Sequence, residues 1–240
     1  MLKRRTDLAV EATQLWQEQA GETTQLRGVQ ARDSVREGYK VTTVRILDES
    51  GAQALGKPVG TYITVELDGL LRREEDAFPR AARALAAELR GLLDLKEGDA
   101  VLVAGLGNRA ITPDGIGPKA ADYTLVTRHL VEQVPEQFGA FRPVSALAAG
   151  VLGTTGMESG ELISAVVEKT RPACVLAVDA LASRSLRRVG RTVQLSDTGI
   201  VPGSGVGNHR MALNRETLGV PVIAIGVPTV VDAATLACDL

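Results

Sequence analysis

Two aspartates stand where chemistry could be done. Val101–Ala104 is a short apolar run that leads through Gly105-Leu106-Gly107-Asn108 to Asp114, flanked by Pro113 and Gly115. Cys174–Val178 (CVLAV) is a second apolar run, and it leads directly into Asp179. A carboxylate placed straight after an apolar strand loses solvation unless its site is open or paired. Taken singly, Asp179 would serve equally well as a helix N-cap, and Asp114 as a turn residue after proline. Taken together, at neighbouring strand ends, they fit an active site, because ligands of open parallel sheets bind outside the carboxyl ends of the strands. Two carboxylates held close cannot both ionise easily, so they share a proton. The ionised member can then take a proton from water, and the protonated member can polarise a carbonyl and assist a leaving group.

Other chemistries fit the same residues less well. Gly105, Gly107 and Ala110 satisfy the G-x-G-x-x-A spacing of a dinucleotide-binding turn. That turn needs a helix starting at its second glycine, but Pro113, Gly115 and Gly117 interrupt the stretch. No acidic residue closes a second strand ~20 residues further on. No Gly-Lys-Ser/Thr follows the glycines, so a P-loop is excluded. Asp197-Thr198-Gly199 has the triplet of pepsin-like proteases, but those folds are all-β, and Ile200 stands where a small residue belongs. Ser196–Arg210 (SDTGIVPGSGVGNHR) reads as a glycine loop that permits close backbone approach to a ligand, against the plainer reading of a long surface loop. His129 and His209 are the only histidines. His129 falls in a helical stretch and reads as structural, whereas His209, in the glycine loop, is a candidate to touch substrate. Cys174 and Cys238 form neither a disulfide framework nor a zinc pattern. No metal or cofactor is expected.

These residues need a scaffold, and the chain can build one. Its 240 residues are 45% hydrophobic and 23% charged, an ordinary globular balance, with a core resting on Val, Leu, Ile and Ala because aromatics are 3%. A net charge of −2 gives no grip on nucleic acid. No apolar run approaches the ~18 residues that cross a bilayer, and the basic N-terminus lacks a signal-peptide core, so a cytoplasmic protein is expected. Val41–Leu47 and Thr61–Leu67 read as a two-stranded pair. Helices are expected after Asp76, over Lys119–Val134 with Pro118 in the first turn, and over Glu161–Lys169. Buried strands are expected near Val101, at Cys174–Val178, at Thr192–Leu195 and at Val220–Val227, with Asp232 capping a last helix. The expected fold is therefore α/β: a mainly parallel sheet with helices on both faces, in a single domain. The last helix starts about eight residues before the chain stops and shows no C-cap signal, which leaves truncation of a longer form open.

Five stretches carry a resemblance: Arg5–Glu11, Gly105–Leu130, Ala177–Ser185, Gln194–Arg210 and Val220–Thr235. In this order they resemble the germination protease family of spore-forming bacteria. The resemblance implies an endopeptidase that degrades small acid-soluble spore proteins in the spore core. It also implies an α/β fold similar to that of hydrogenase maturation peptidases, and synthesis as an oligomeric zymogen, a tetramer in the family, that removes its own N-terminal segment. The family's proposed aspartate pair maps onto Asp114 and Asp179. Gly105, Gly107, Asn108, Arg184, Asp197, Gly205 and His209 become candidates for contacts with substrate. Two alternatives remain open at this point: a metal-dependent peptidase of the hydrogenase-maturation type with Asp114 as a ligand, or a spore protein that binds peptides without cutting them.

The resemblance also implies cutting after an acidic residue followed by a hydrophobic residue and alanine. Asp7-Leu8-Ala9 presents that pattern, so residues 1–7 are a candidate propeptide and 8–240 the peptidase domain. A polar N-terminal segment is expected to be loose enough to enter a cleft. The plainer reading has Thr6 capping a first helix. Arg184, Arg187, Arg188 and Arg210 are the expected partners of the Asp7 carboxylate.

Overall fold

The computed structural model describes residues 6–20, 26–203 and 210–238. Among these, eight strands form one sheet: β1 (Val29–Arg36), β2 (Tyr39–Ile46), β3 (Gly60–Glu66), β4 (Val101–Leu106), β5 (Val144–Gly150), β6 (Cys174–Ser183), β7 (Thr192–Ser196) and β8 (Val222–Val231). Their spatial order is β1-β2-β3-β7-β8-β6-β4-β5. The α/β class is as expected, but the sheet is mixed rather than mainly parallel. The pairings β1–β2, β2–β3, β3–β7 and β7–β8 are antiparallel, and only β8–β6, β6–β4 and β4–β5 are parallel. The cause of the misreading is visible in β8, whose apolar run Val222–Val227 lies parallel to β6 yet antiparallel to β7. A continuous apolar strand reports cover on both faces, not the direction of its partners.

Both faces are covered. On the antiparallel half, the helix Ala77–Leu92 lays Ala81, Ala84, Leu85 and Leu89 over Val41, Ile63, Val65 and Leu195. On the opposite face, the helices Ala9–Ala20 and Glu49–Leu55 pack Ala9, Ala12, Trp16 and Leu55 against Val44, Ile46 and Tyr62. The alternation of β2, with Val41 on one face and Val44 and Ile46 on the other, is the two-residue period of a strand shared between two cores. On the parallel half, the helix Ser159–Thr170 buries Ile163 and Val167 against Leu102, Ala104, Val175 and Ala177. Strand β1 is exposed at seven of its eight positions, so its sequence carried no apolar signal to read. No helix among the described residues is long and apolar enough to cross a membrane.

The single helix expected over Lys119–Val134 is two, Ile116–Tyr123 and Arg128–Gln133. The break lies where Thr127 turns to the start of β5. Its N–H donates to the Val144 carbonyl at 3.0 Å, its hydroxyl donates to the Arg142 carbonyl at 2.5 Å, and the same hydroxyl accepts from Val144 N–H at 3.0 Å. Thr127, committed to backbone groups outside both helices, stands at the N-cap position of the second.

The helix Ile116–Tyr123 lies unusually close to the sheet. A Cβ on Gly117 would strike the backbone of Leu106 and Val178, and one on Gly105 would strike the backbone of Gly117. These two glycines fix the distance between that helix and strands β4 and β6. Gly117→Ala is therefore expected to cost about 1–3 kcal/mol or more by overpacking against backbone that cannot swing away. Urea denaturation checks it; a stability equal to that of the native chain would show that the contact can relax.

Candidate active site

Strand order places the site. From β4 the chain passes through the helix Ile116–Tyr123 to β5 on one side, then through the helix Ser159–Thr170 to β6 on the other. The crevice between β4 and β6, outside their carboxyl ends, is thus a topological switch point, where open sheets bind ligands. The last pair joining these strands is Gly105 with Val178. Asp179 is the next residue, but the strand does not end there, as the apolar run had implied. β6 continues to Ser183, paired with β8 alone, so Asp179 is a mid-strand residue at the point where β4 leaves. The pairing with β8 slips between Leu181 and Ala182, which makes Thr229 a bulge residue. Its hydroxyl is buried, lines the crevice, and has no hydrogen-bond partner among the described residues.

Asp114 reaches the same crevice by a tight turn. Gly107 takes a φ of +105°, and a Cβ there would strike the Asp114 carbonyl oxygen, so the bend off β4 requires glycine. A 3-10 turn, Thr112–Asp114, follows, and the Asp114 carboxylate accepts the Asn108 N–H at 2.7 Å. Both aspartates line a cleft of about 310 Å³ together with Asp7, Leu181, Arg210 and Thr229.

Asp179 is 6% exposed. Burial pushes its carboxyl up to about 7; a hydrogen bond from its neighbour's N–H (Ala180, 2.8 Å) and the charge of Arg210 pull the other way, while the carboxylates of Asp114 and Asp7 add to the rise. A carboxyl poised near neutrality beside a second carboxylate is the arrangement that can give and take a proton.

The third carboxylate comes from the N-terminal segment, which is seated rather than loose over the described residues from Thr6 onward. Leu8 and Ala9 are fully buried, Leu8 with Val10 against Leu181 and Ile200. Glu11, 1% exposed, accepts the N–H of Arg184 at 2.6 Å and that of Ser185 at 3.2 Å, and lies 3.3 Å from Arg188 Nε. Asp7 lies along the part of β6 that β4 leaves uncovered. Its N–H donates to the Ala182 carbonyl at 2.8 Å, and its carboxylate accepts the Ala182 N–H at 2.8 Å. A backbone donor, which was not expected, thus holds the Asp7 carboxylate. Arg184 pairs instead with Glu18 at 3.0 Å, and of the four arginines only Arg210 lines the cleft. The Asp7 carbonyl accepts from Lys57 Nζ at 2.8 Å and Gln194 Nε2 at 3.1 Å.

The remaining residues singled out from sequence divide by position. Gly107 lines the cleft, Asn108 holds Asp114, and Gly105 sets the helix-to-sheet distance. Asp197 lies outside the cleft lining, and its carboxylate accepts the Thr61 N–H at 2.7 Å at the start of β3. His129 is exposed on the helix Arg128–Gln133. Gly205 and His209 lie outside the described residues. Among the described residues no three His, Cys, Asp or Glu side chains gather as a metal site. Lys57, Gln194 and Thr229 were not anticipated. Gln194 had a signal, an amide in a short strand where Thr192, Gln194 and Ser196 alternate with Val193 and Leu195 and all five are buried; Lys57, next to Gly56 and Pro58, had none.

The model of the germination protease family matches residues 9–240. The chain belongs to the germination protease family. Germination proteases of Caldanaerobacter subterraneus, Clostridium perfringens and Bacillus cytotoxicus are 52%, 49% and 48% identical to it. The matches cover 98%, 100% and 98% of this chain, and 71%, 74% and 65% of those relatives. As a germination protease the chain is a peptidase, and its crevice is judged by what peptide hydrolysis needs.

Asp179 carries a testable consequence for the stability of this germination protease. Its folded pKa, about 7, lies above the value of about 3.9 for an unfolded aspartate, so folding takes up a proton between those limits. Stability from this group is fully present below pH 4 and is lost as pH rises towards 7. Asp179→Asn is therefore expected to match the native chain at pH 4 and to exceed it at pH 8, on the order of a few kcal/mol. Urea denaturation at the two pH values measures it. The same difference at both would show that Asp179 does not carry a raised pKa.

Proposed function

We propose that this chain is an endopeptidase whose catalytic pair is Asp114 and Asp179. The observation that carries the reading is the burial of Asp179, with its raised carboxyl pKa, in one cleft with Asp114 at the switch point of the sheet. One aspartate, ionised, takes a proton from the attacking water. The other, protonated, hydrogen-bonds the carbonyl or leaving nitrogen and gives its proton as the C–N bond breaks. The buried position suits Asp179 to the protonated role at neutral pH and below. The substrates are small acid-soluble spore proteins, degraded in the spore core, as the resemblance to the family implies. The protein is made as an oligomeric zymogen, residues 1–7 form its propeptide, and it cuts itself between Asp7 and Leu8. Seating of Asp7 in the cleft beside the two aspartates supports that last step.

The test follows the N-terminus by mass spectrometry during incubation at mildly acidic pH, and cleavage of a purified small acid-soluble spore protein in parallel. The native chain is expected to yield a new terminus at Leu8 and to cut the spore protein. Asp114→Asn and Asp179→Asn are each expected to do neither while keeping a cooperative unfolding transition. Cleavage by both variants at the native rate would dispose of the aspartate pair. A folded native chain that cuts nothing would support the peptide-binding alternative. Activity is expected to survive chelation; activity lost on chelation, with stoichiometric metal in the purified protein, would favour the metal-dependent alternative.

A further inference from the structure

The peptide group between Asp7 and Leu8 is gripped by residues that do not line the cleft of the aspartates. Its carbonyl oxygen accepts two hydrogen bonds, one from the Lys57 ammonium at 2.8 Å and one from the Gln194 amide at 3.1 Å. The other end of the Gln194 amide accepts the N–H of Ala9 at 2.8 Å, so one side chain spans the Asp7–Leu8 bond by hydrogen bonds to backbone groups. Lys57, Gln194 and Tyr62 line a second cleft of about 210 Å³, and Asp7 lines both clefts.

The placement of Lys57 is built rather than incidental. The helix Glu49–Leu55 ends at Gly56, in the left-handed conformation with φ +64°, and the N–H groups of Gly56 and Lys57 both return to the Ala52 carbonyl. The next carbonyl, of Pro58, accepts the Tyr62 hydroxyl at 2.9 Å. The side chain leaves this turn with its stem partly exposed and its ammonium desolvated, which lowers its pKa; the carboxylates of Asp7 and Glu11 act to raise it. Its hydrogen bond among the described residues goes to a carbonyl rather than a carboxylate. A desolvated ammonium that spends itself on a neutral carbonyl is poorly used by structure alone. It is well used if negative charge develops on that oxygen.

We propose that Lys57 and Gln194 form the pocket for the carbonyl oxygen of the bond this protease cuts, both in its own N-terminal segment and in a substrate chain, with Lys57 opposing the charge that develops there. The proposal rests on the reading of Asp114 and Asp179 as the catalytic pair. Water transfers one proton to the ionised aspartate while its oxygen bonds to the carbonyl carbon, and the C=O π pair moves onto the oxygen held by Lys57 and Gln194. When the C–N bond breaks, that pair returns to re-form the C=O, and the leaving nitrogen takes the proton held by the other aspartate. Gln194 also binds the N–H two residues past the cut in the ground state, so it positions any sequence by its backbone.

Anchoring of the N-terminal segment and stabilisation of a transition state are separated by a second substrate. Once the terminus is at Leu8, a role confined to holding Asp7 has ended. Kinetics are therefore measured on a synthetic peptide with an acidic residue followed by Leu-Ala, using full chains allowed to process. Where a variant processes too slowly, native enzyme added in trace and then removed supplies the cut. Lys57→Met is expected to lower kcat about 100-fold or more with a much smaller change in KM, and Lys57→Arg to recover a large part of it. Gln194→Leu is expected to lower kcat and raise KM together, and it gives an independent reading if Lys57→Met folds poorly. Equal kcat for native and Lys57→Met, or equal losses in Lys57→Met and Lys57→Arg, overturns the pocket alone. A native chain that cuts neither itself nor the peptide overturns the peptidase mechanism and the pocket with it.

Discussion

A carboxyl sits in the middle of β6 where the pattern of the strand calls for an apolar side chain, and much of the local architecture answers to it. Burial of an unpaired carboxylate is costly, so Asp179 keeps its proton to near neutral pH, and the sheet supplies only one donor, its neighbour Ala180. Strand β4 departs one residue before it, which opens the crevice. Gly107 and the turn Thr112–Asp114 bring a second carboxylate to the opening. The two glycines under the helix Ile116–Tyr123 hold that helix tight enough for the turn to reach. An apolar residue at 179 would make a better strand and leave these devices without a purpose.

The departure of β4 leaves the far half of β6 with an open edge, and unpaired strand edges attract other chain. Here the N-terminal segment takes the place of the missing neighbour. Asp7 gives Ala182 one backbone hydrogen bond and one through its carboxylate, so an acidic side chain does the work of a strand carbonyl. A strand N–H can thus favour an acidic residue: it is fixed in direction, and an aspartate reaches it while its own backbone pairs with the same residue.

Much of this was legible in sequence, and the parts that were not share causes. The apolar runs at β4, β6 and β8 marked buried strands, and the two aspartates after the first two of them share one cleft. Strand direction was not legible, because the apolar run of β8 is the same whether its neighbour is the parallel β6 or the antiparallel β7. Strand β1 was missed because it lies exposed at an edge, and the helix break at Thr127 because its cause is a contact with β5, distant in sequence. Lys57 and Gln194 belong to the same class: 137 positions apart, they meet only because β3 pairs with β7. A motif can expose residues that act within one turn; it cannot expose a pair assembled by sheet order.

The anchors of the N-terminal segment are distributed unevenly about the Asp7–Leu8 bond. Downstream, Leu8 and Ala9 are fully buried, Glu11 is held by two backbone N–H groups and lies beside Arg188, and the helix Ala9–Ala20 packs on β2. At Asp7 itself, Ala182, Lys57 and Gln194 hold backbone and carboxylate by hydrogen bonds rather than by apolar packing. Apolar burial of a leucine contributes about 1.5–3 kcal/mol, while a hydrogen bond exchanged with water contributes about 1 kcal/mol net. Breaking the bond therefore separates a side secured by burial from one secured by exchangeable hydrogen bonds. Water can replace the second kind and not the first, so the hold on the segment is strongest from Leu8 onward and weakest at Asp7.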